Sequence, residues 1–513
     1  MAVRTLSYDE AAKIVRNRLR SYSAVSIVRL ALVTHASRDE KLLDQLQQLP
    51  WVTFLLVKLV LEDQMTNLYK GDSCPRDVFD ACRQSLWNTE KAPATDDARG
   101  SVYLMLRSLI QAQLPFQKKP TYDFLRWPAL IARLDSAHPV RRQLDGRIGM
   151  EPEVFICVCL AVYEPVINGK MTISNDYFKS LGPIYGCVVD RFMSEFSRDL
   201  DGLRAELRKR LSARIAANIE ARPKQESYEF PWLSNYPLLR DQDGNFVIWH
   251  PMVFARGMEL AVHKRLSETE NRPEYAGKFG REVFEPYVLE LLQHAGLKYL
   301  SEQEYKKAVG NDKNAVEAII TSDGANVFIE AKMTAYSEKL TLSDVRPVVW
   351  TELKRVREAM TQGWEVSARL RDGRSPNWEC AGSMEDFLIV VTSQQTSCAT
   401  GEQLRRMFRP GTFDPDPARK NGPTMKQLEF LPLRNIVIVS IEEFEHLIGG
   451  VQSGEIDLVS FLREVAAANA DPKTSIMFID QMLGPKIKKW KLPRLLEDAS
   501  QSAMERLAGV LAH

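Results

Sequence analysis

Two rhythms of apolar and polar positions run along this chain, and one gives way to the other near residue 225. Up to about residue 220 the spacing is helical. "SYDEAAKIVRNRL" opens on Ser7 or Asp9 as a cap, and "VSIVRLALVTHA" and "DEKLLDQLQQL" continue in that style. "LRAELRKRLSARIAANIEA" predicts a long, charge-rich helix that carries Arg204, Arg208, Lys209, Arg210 and Arg214. Pro223, Pro231 and Pro237 then break the pattern, and "LLRDQDGNFVIW" reads as a hairpin turning at Asp243-Gly244. An amphipathic helix, "PMVFARGMELAVHKRLSE", follows.

Beyond residue 280 helix and strand patterns alternate. "GREVFEPYVLELLQHAG" predicts a helix closed by Gly296, and "AVEAIITS", "DG" and "NVFIEAKM" predict a hairpin. "VVWTELKRVREAMTQGW" and "IDLVSFLREVAAAN" read as helices. "DFLIVVTS" and "NIVIVSIEEF" read as buried strands. The fold class expected is α/β (α+β): a C-terminal domain with a central mixed sheet flanked by helices, after a mainly α-helical N-terminal domain. The divisions fall at 1–225, 226–275 and 276–513, with the proline-rich stretch as the junction. "RPGTFDPDPARKNGP" is the clearest long loop, and neither an internal repeat nor a low-complexity segment stands out.

Composition narrows the function classes. A length of 513 residues asks for two or three domains, and 45% hydrophobic with 26% charged residues is ordinary for a globular chain. A net charge of +1 means that any nucleic-acid surface must be local. The seven cysteines are scattered, and Cys157 and Cys159 sit in the helix-core pattern "VFICVCLAV". Reduced thiols, no apolar signal region in "MAVRTLSYDEAAK" and no run long enough for a bilayer lead to the expectation of a soluble, cytoplasmic protein. No Walker-type loop and no strained serine elbow is present.

The stretch "NVFIEAKM" carries the chemistry. Side chains alternate in a strand, so Phe328, Glu330 and Lys332 share one face and Val327, Ile329 and Ala331 the other. Glu317, in the partner strand, comes near the end that holds Glu330. Two carboxylates there can hold one hard divalent cation, Mg2+ or Mn2+, which keeps several waters. A lysine on the same face can position an attacking water, and the cation offsets charge that develops on a phosphodiester. Glu-x-Lys alone is also common on exposed edge strands; the apolar strand, the upstream acid and the preceding helix set this one apart.

This region, roughly residues 275 to 450, resembles the PD-(D/E)XK nuclease superfamily, the restriction-endonuclease-like fold. The order "GREVFEPYV", "VEAIITSDG", "VFIEAKM" is that of a helix with a glutamate, a strand with an acid, a turn, and a strand ending in E-x-K. "DFLIVVTS" and "IVIVSIEEFEHL" look like the later strands and helix of such domains. The resemblance implies Glu330 and Glu317 as metal ligands, Lys332 as the residue that positions the water, and Glu285 as the helix acid, with Glu282 the alternative. Glutamate at 317 replaces the usual aspartate, and Pro286 makes the helix begin or kink there. The resemblance further implies a magnesium-dependent endonuclease acting on DNA, with RNA the other substrate. Joined to a long helical domain, it looks like bacterial antiphage defence or restriction proteins, in which a second protein subunit commonly supplies recognition or control. The rival readings are an inactive nuclease-fold subunit that binds nucleic acid or a partner nuclease, and a scaffold in which E-x-K is incidental.

Two basic stretches are candidates for the nucleic-acid backbone: Arg208, Lys209 and Arg210 on the long helix, and Lys488, Lys489, Trp490 and Lys491 in "KIKKWKLPR", where the tryptophan could stack on a base. "EQLRRMFR" is a third basic stretch, and an ordinary solvated face is the plain alternative for each. His263 and His294 read as surface or cap residues, and His250 as the residue that fixes the start of the next helix.

Overall fold

The computed structural model describes residues 6–36, 50–89, 103–104, 106–107, 110, 116, 124, 126–131, 134–142, 152–216, 231–267, 272–310, 314–334, 346–371, 384–408, 411–415, 423–487 and 492–511. Of the proline-rich stretch expected as the junction, residues 222–230, with Pro223, lie outside them. The first helix, Tyr8–Leu19, is capped by Ser7 and not by Asp9: Ser7 Oγ accepts the Glu10 amide at 3.3 Å and Glu10 returns a bond to the Ser7 amide at 3.0 Å. Helix Pro50–Glu62 is apolar on nearly every side and is accordingly buried on nearly every side. Helices Tyr8–Leu19, Ala24–Ala36, Arg76–Trp87 and Leu200–Ala216 join it in one core.

The structure is mixed α/β, with two small mixed sheets. The first has strands β1 (Thr172–Ile173), β2 (Ser197–Arg198), β3 (Leu238–Arg240) and β4 (Phe246–Ile248) in the order β1-β4-β3-β2. The β3–β4 pair is the hairpin anticipated at Asp243-Gly244, with Gly244 at φ +81°. The second sheet has β5 (Leu300–Ser301), β6 (Ala318–Ser322), β7 (Ala325–Lys332), β8 (Glu385–Thr392) and β9 (Ile436–Ser440), hydrogen-bonded in that order. β5–β6 and β6–β7 are antiparallel; β7–β8 and β8–β9 are parallel. The β6–β7 turn has Asp323 at φ +48° and Gly324 at +74°, the mirror-image conformation that matches strand twist in two-residue hairpins.

Alternation along β7 sorts its residues between two cores. Val327, Ile329 and Ala331 pack with Tyr287, Val288 and Phe444, in a core that continues through Phe155, Tyr163 and Phe254. Phe328 packs with Leu388, Val390, Met360 and Trp364 on the other face. Gly363 lets helix Lys354–Arg371 lie close on the sheet, since a Cβ there would fall 2.7 Å from a Leu388 methyl. A buried ion-pair network ties distant helices together. Arg126 donates to both oxygens of Glu445 at 2.6 Å and to Glu259 at 3.0 Å, and the Tyr287 hydroxyl donates to Glu445 at 2.6 Å. Cys157 and Cys159 are buried, and the six described cysteines are free thiols. Among the described residues no helix is long and apolar enough to cross a membrane.

Candidate functional site

Helix Arg272–Phe279, the π-turn Gly280–Phe284 and helix Glu285–His294 follow one another without a break. Pro286 has no amide hydrogen, and in a regular α-helix its ring would press on the carbonyl of Glu282. The wider turn absorbs that misfit, and the Glu285 amide bonds to Gly280 O, five residues back. The regular α-helix accordingly begins at Glu285, with Pro286 in its first turn, and the π-turn leads into it. It presses against the chain just past Lys332: a Cβ on Gly280 would lie 3.2 Å from Met333 Cβ and 3.9 Å from Glu285 Oε1.

The hairpin register brings the two other acids together. Ala318 pairs with Ile329, so Glu317, one step before β6, stands opposite Glu330 on the face shared with Phe328 and Lys332. A fourth carboxylate arrives from outside this frame. The Glu302 amide donates to Glu317 O at 3.1 Å, which seats the start of helix Glu302–Val309 against the hairpin end. Ser301 and Glu304 cap that helix reciprocally. Its S-x-x-E signal, "SEQE", is readable in the sequence; the closeness of Glu302 to the hairpin is not.

Glu330 is fully buried. Its Oε1 accepts a hydrogen bond from Lys332 Nζ, while its Oε2 is buried and has no hydrogen-bond partner among the described residues. Burial, the Glu330, Glu285 and Glu302 charges together hold the Glu317 carboxyl above the ordinary carboxylate range, against the pull of Lys332. Burial likewise raises Glu330, opposed by Lys332 and reinforced by Glu285 and Glu302. Glu285 is raised by burial, with Lys332 opposing and Glu302 adding to the rise. Four carboxylates thus feel one another around one lysine. Glu302 is further engaged by Lys306 at 2.5 Å, on its own helix.

Oxygen donors from Glu317 and Glu330, one of them a buried oxygen without a partner, fit a hard divalent cation that retains waters. Glu285, Glu317 and Glu330 are not drawn into a set of three ligand atoms within 4.8 Å of one another.

The remaining candidates separate cleanly. Glu282 pairs with His138 at 2.9 Å. Arg208 and Lys209 are exposed and Arg210 is half-buried on helix Leu200–Ala216. Their neighbour Arg204 is turned inward, donating to the carbonyls of Leu61 at 3.1 Å and Thr66 at 2.8 Å. Lys488, Lys489, Trp490 and Lys491 lie outside the described residues. In "EQLRRMFR", Arg405 pairs with Glu402, and Arg406 donates to Asn469 O at 2.8 Å, so these two charges are engaged within the fold. His250 Nδ1 accepts the Met252 amide at 3.1 Å and fixes the start of helix Pro251–Ser267. The His263 side chain lies outside the described set, and His294 ends its helix.

Comparison of the chain with protein-family models, with curated proteins and with solved structures finds no match.

Proposed function

We propose that this chain is a metal-dependent nuclease that hydrolyses phosphodiester bonds, with a PD-(D/E)XK-like domain around β5–β9. One observation carries the reading: Glu330 is fully buried at a strand end, with one oxygen on Lys332 and the other without a partner among the described residues, opposite Glu317. A buried carboxylate left short of partners among further carboxylates costs several kcal/mol unless a cation completes it. The order helix, strand, turn, strand ending in E-x-K, followed by two parallel strands, agrees with the resemblance.

Glu317 and Glu330 would hold the cation, Mg2+ or Mn2+. When bound, it neutralises their charge and that of the scissile phosphate. Lys332, clasped to Glu330 and about one-sixth exposed, holds the attacking water and orients it toward the phosphorus. Glu285, kept more basic than an ordinary carboxylate by burial, accepts a proton from that water or relays it outward. DNA is the substrate we favour, cut in the bacterial cytoplasm within an antiphage defence or restriction system, where a second protein subunit supplies recognition.

The test is purified full-length chain incubated with supercoiled plasmid and Mg2+. Cleavage should appear with Mg2+ or Mn2+, disappear with excess chelator, and be absent in Lys332→Ala. Cutting that persists in chelator would remove the mechanism. If Glu330→Gln and wild type bind DNA equally well and neither cuts, the chain is the inactive, binding subunit instead.

A further inference from the structure

Helix Ile441–Gln452 begins where β9 ends, and its first turns carry Glu442 and His446 four residues apart, on one face. Asp480 comes to that face from a later part of the chain. Both of its oxygens lie beside His446 Nδ1, at 3.2 and 3.3 Å. One ligand atom from each of Glu442, His446 and Asp480 lies within 4.8 Å of the other two, and all three residues are half-buried. No other three His, Cys, Asp or Glu residues among those described are gathered so closely.

The surroundings hold this arrangement in place. Glu443, next to Glu442, accepts the Ser440 amide at 2.9 Å and the Ile479 amide at 2.8 Å, which pins the residue before Asp480 to the start of the helix. Gln481 Oε1 accepts the Met477 amide at 2.7 Å, and the Gln403 side chain donates to Ile476 O. Rigid support of this kind is what separates a built ligand set from side chains that happen to meet. A histidine–aspartate hydrogen bond needs only two of the three residues. The third brings a second carboxylate to the same point, so that one imidazole and two carboxylates converge there.

We propose that Glu442, His446 and Asp480 form a second metal centre, separate from the E-x-K site, that takes a first-row transition cation such as Zn2+. One imidazole nitrogen with two carboxylate oxygens is a mixed donor set that suits Zn2+, whereas Mg2+ asks for oxygen alone. Three protein ligands leave a position for water. The cation would tie helix Ile441–Gln452 to the 476–483 segment, so that its loading stiffens one flank of the sheet.

The probe is Zn2+ alone, followed by equilibrium dialysis of the full chain, with Co2+ as a spectroscopic stand-in. The Glu317→Gln/Glu330→Gln double variant lacks the carboxylates of the E-x-K site and should retain one Zn2+ per chain with wild-type affinity. Glu442→Gln leaves the His446–Asp480 bond intact and should weaken Zn2+ at least about tenfold, the loss seen even for partners behind a ligand. His446→Gln should do the same and abolish the visible Co2+ absorption. At one Zn2+ concentration the melting temperature should rise in the wild type and the double variant, and rise less in Glu442→Gln. Loss of Zn2+ in the double variant, or wild-type affinity in Glu442→Gln or His446→Gln, would overturn the proposal whatever the nuclease assays show.

Discussion

Strands β7 and β8 carry a buried acid at each end, and the two acids are treated in opposite ways. At the start of the pair, Asp386 is fully buried and accepts from Asn326 Nδ2 at 2.9 Å, Ser367 Oγ at 2.5 Å and Arg371 at 2.5 Å. Arg371 is itself held by Met384 O at 2.8 Å and lies over the Phe430 ring at 4.4 Å. At the finish, Glu330 is just as buried, yet one of its oxygens has no partner among the described residues, and the charges that act on it are three more carboxylates and a single lysine. Burial of a charge therefore does not by itself mark a site. A satisfied buried acid is part of the scaffold, whereas the proposed site rests on an acid of the same two strands that is left short of partners among the described residues.

Mutations at the two ends should fail in opposite ways. Lys332→Ala is expected to lower plasmid cleavage at least about 100-fold, the usual scale for loss of a positioned proton-handling group, while DNA affinity stays near wild type. Arg371→Ala is expected to cost about 3–5 kcal/mol in denaturant titration, because it strands Asp386 in the core. Its cleavage rate per folded molecule should stay at the wild-type level. An Arg371→Ala protein that is fully stable but cannot cut would erase the contrast between the two ends.

A smaller effect sharpens the contrast through pH. The folded chain holds the Glu317 and Glu330 carboxyls above their unfolded values. Groups raised in this way contribute stability that is complete below the ordinary glutamate value and lost as pH rises through the folded values. The metal-free chain should therefore lose stability from the ordinary glutamate range upward. Glu317→Gln should flatten that decline and be the more stable protein at pH 8, by at least about 1 kcal/mol, one unit of pKa displacement. The difference should close near pH 4. Denaturant melts in chelator across this range check it, and parallel curves for the two proteins would contradict the crowding of carboxylates at this end.

What the sequence made legible was local. The β6–β7 hairpin followed from two β-branched runs around Asp323-Gly324, and the shared face of Phe328, Glu330 and Lys332 followed from strand alternation alone. The position of Glu317 opposite Glu330 needed only the turn length. Features set by distant parts of the chain were not legible. Glu302 reaches the hairpin end through one backbone hydrogen bond to Glu317, and Asp480 reaches His446 across more than thirty residues. Strands β1 and β2, two residues each, carry no periodic signal and exist because β4 and β3 offer them an edge. Arg204 reads as one of a basic row, yet it is the one that turns inward to the carbonyls at the end of helix Pro50–Glu62.

That inward turn also defines the smallest expected effect. With Arg204 engaged in the core, the row on helix Leu200–Ala216 that can meet a phosphate backbone begins at Arg208 and Lys209, both exposed. If nucleic acid runs along this helix, each phosphate contact releases counterions, and the log–log slope of affinity against salt changes by about 0.9 per contact on duplex DNA. Arg208→Ala/Lys209→Ala should then flatten the slope by up to about two such steps. Substitutions at exposed positions shift stability by only about 0.5 kcal/mol, so the fold is not at risk. Lys332→Ala should leave the slope unchanged, because Lys332 is engaged with Glu330 at the strand end and adds nothing to a backbone track. Binding curves over a salt series for wild type and both variants check this. An unaltered slope in the double variant would assign the backbone track to another surface, and a flattened slope in Lys332→Ala would mean that the residue holds substrate rather than the attacking water.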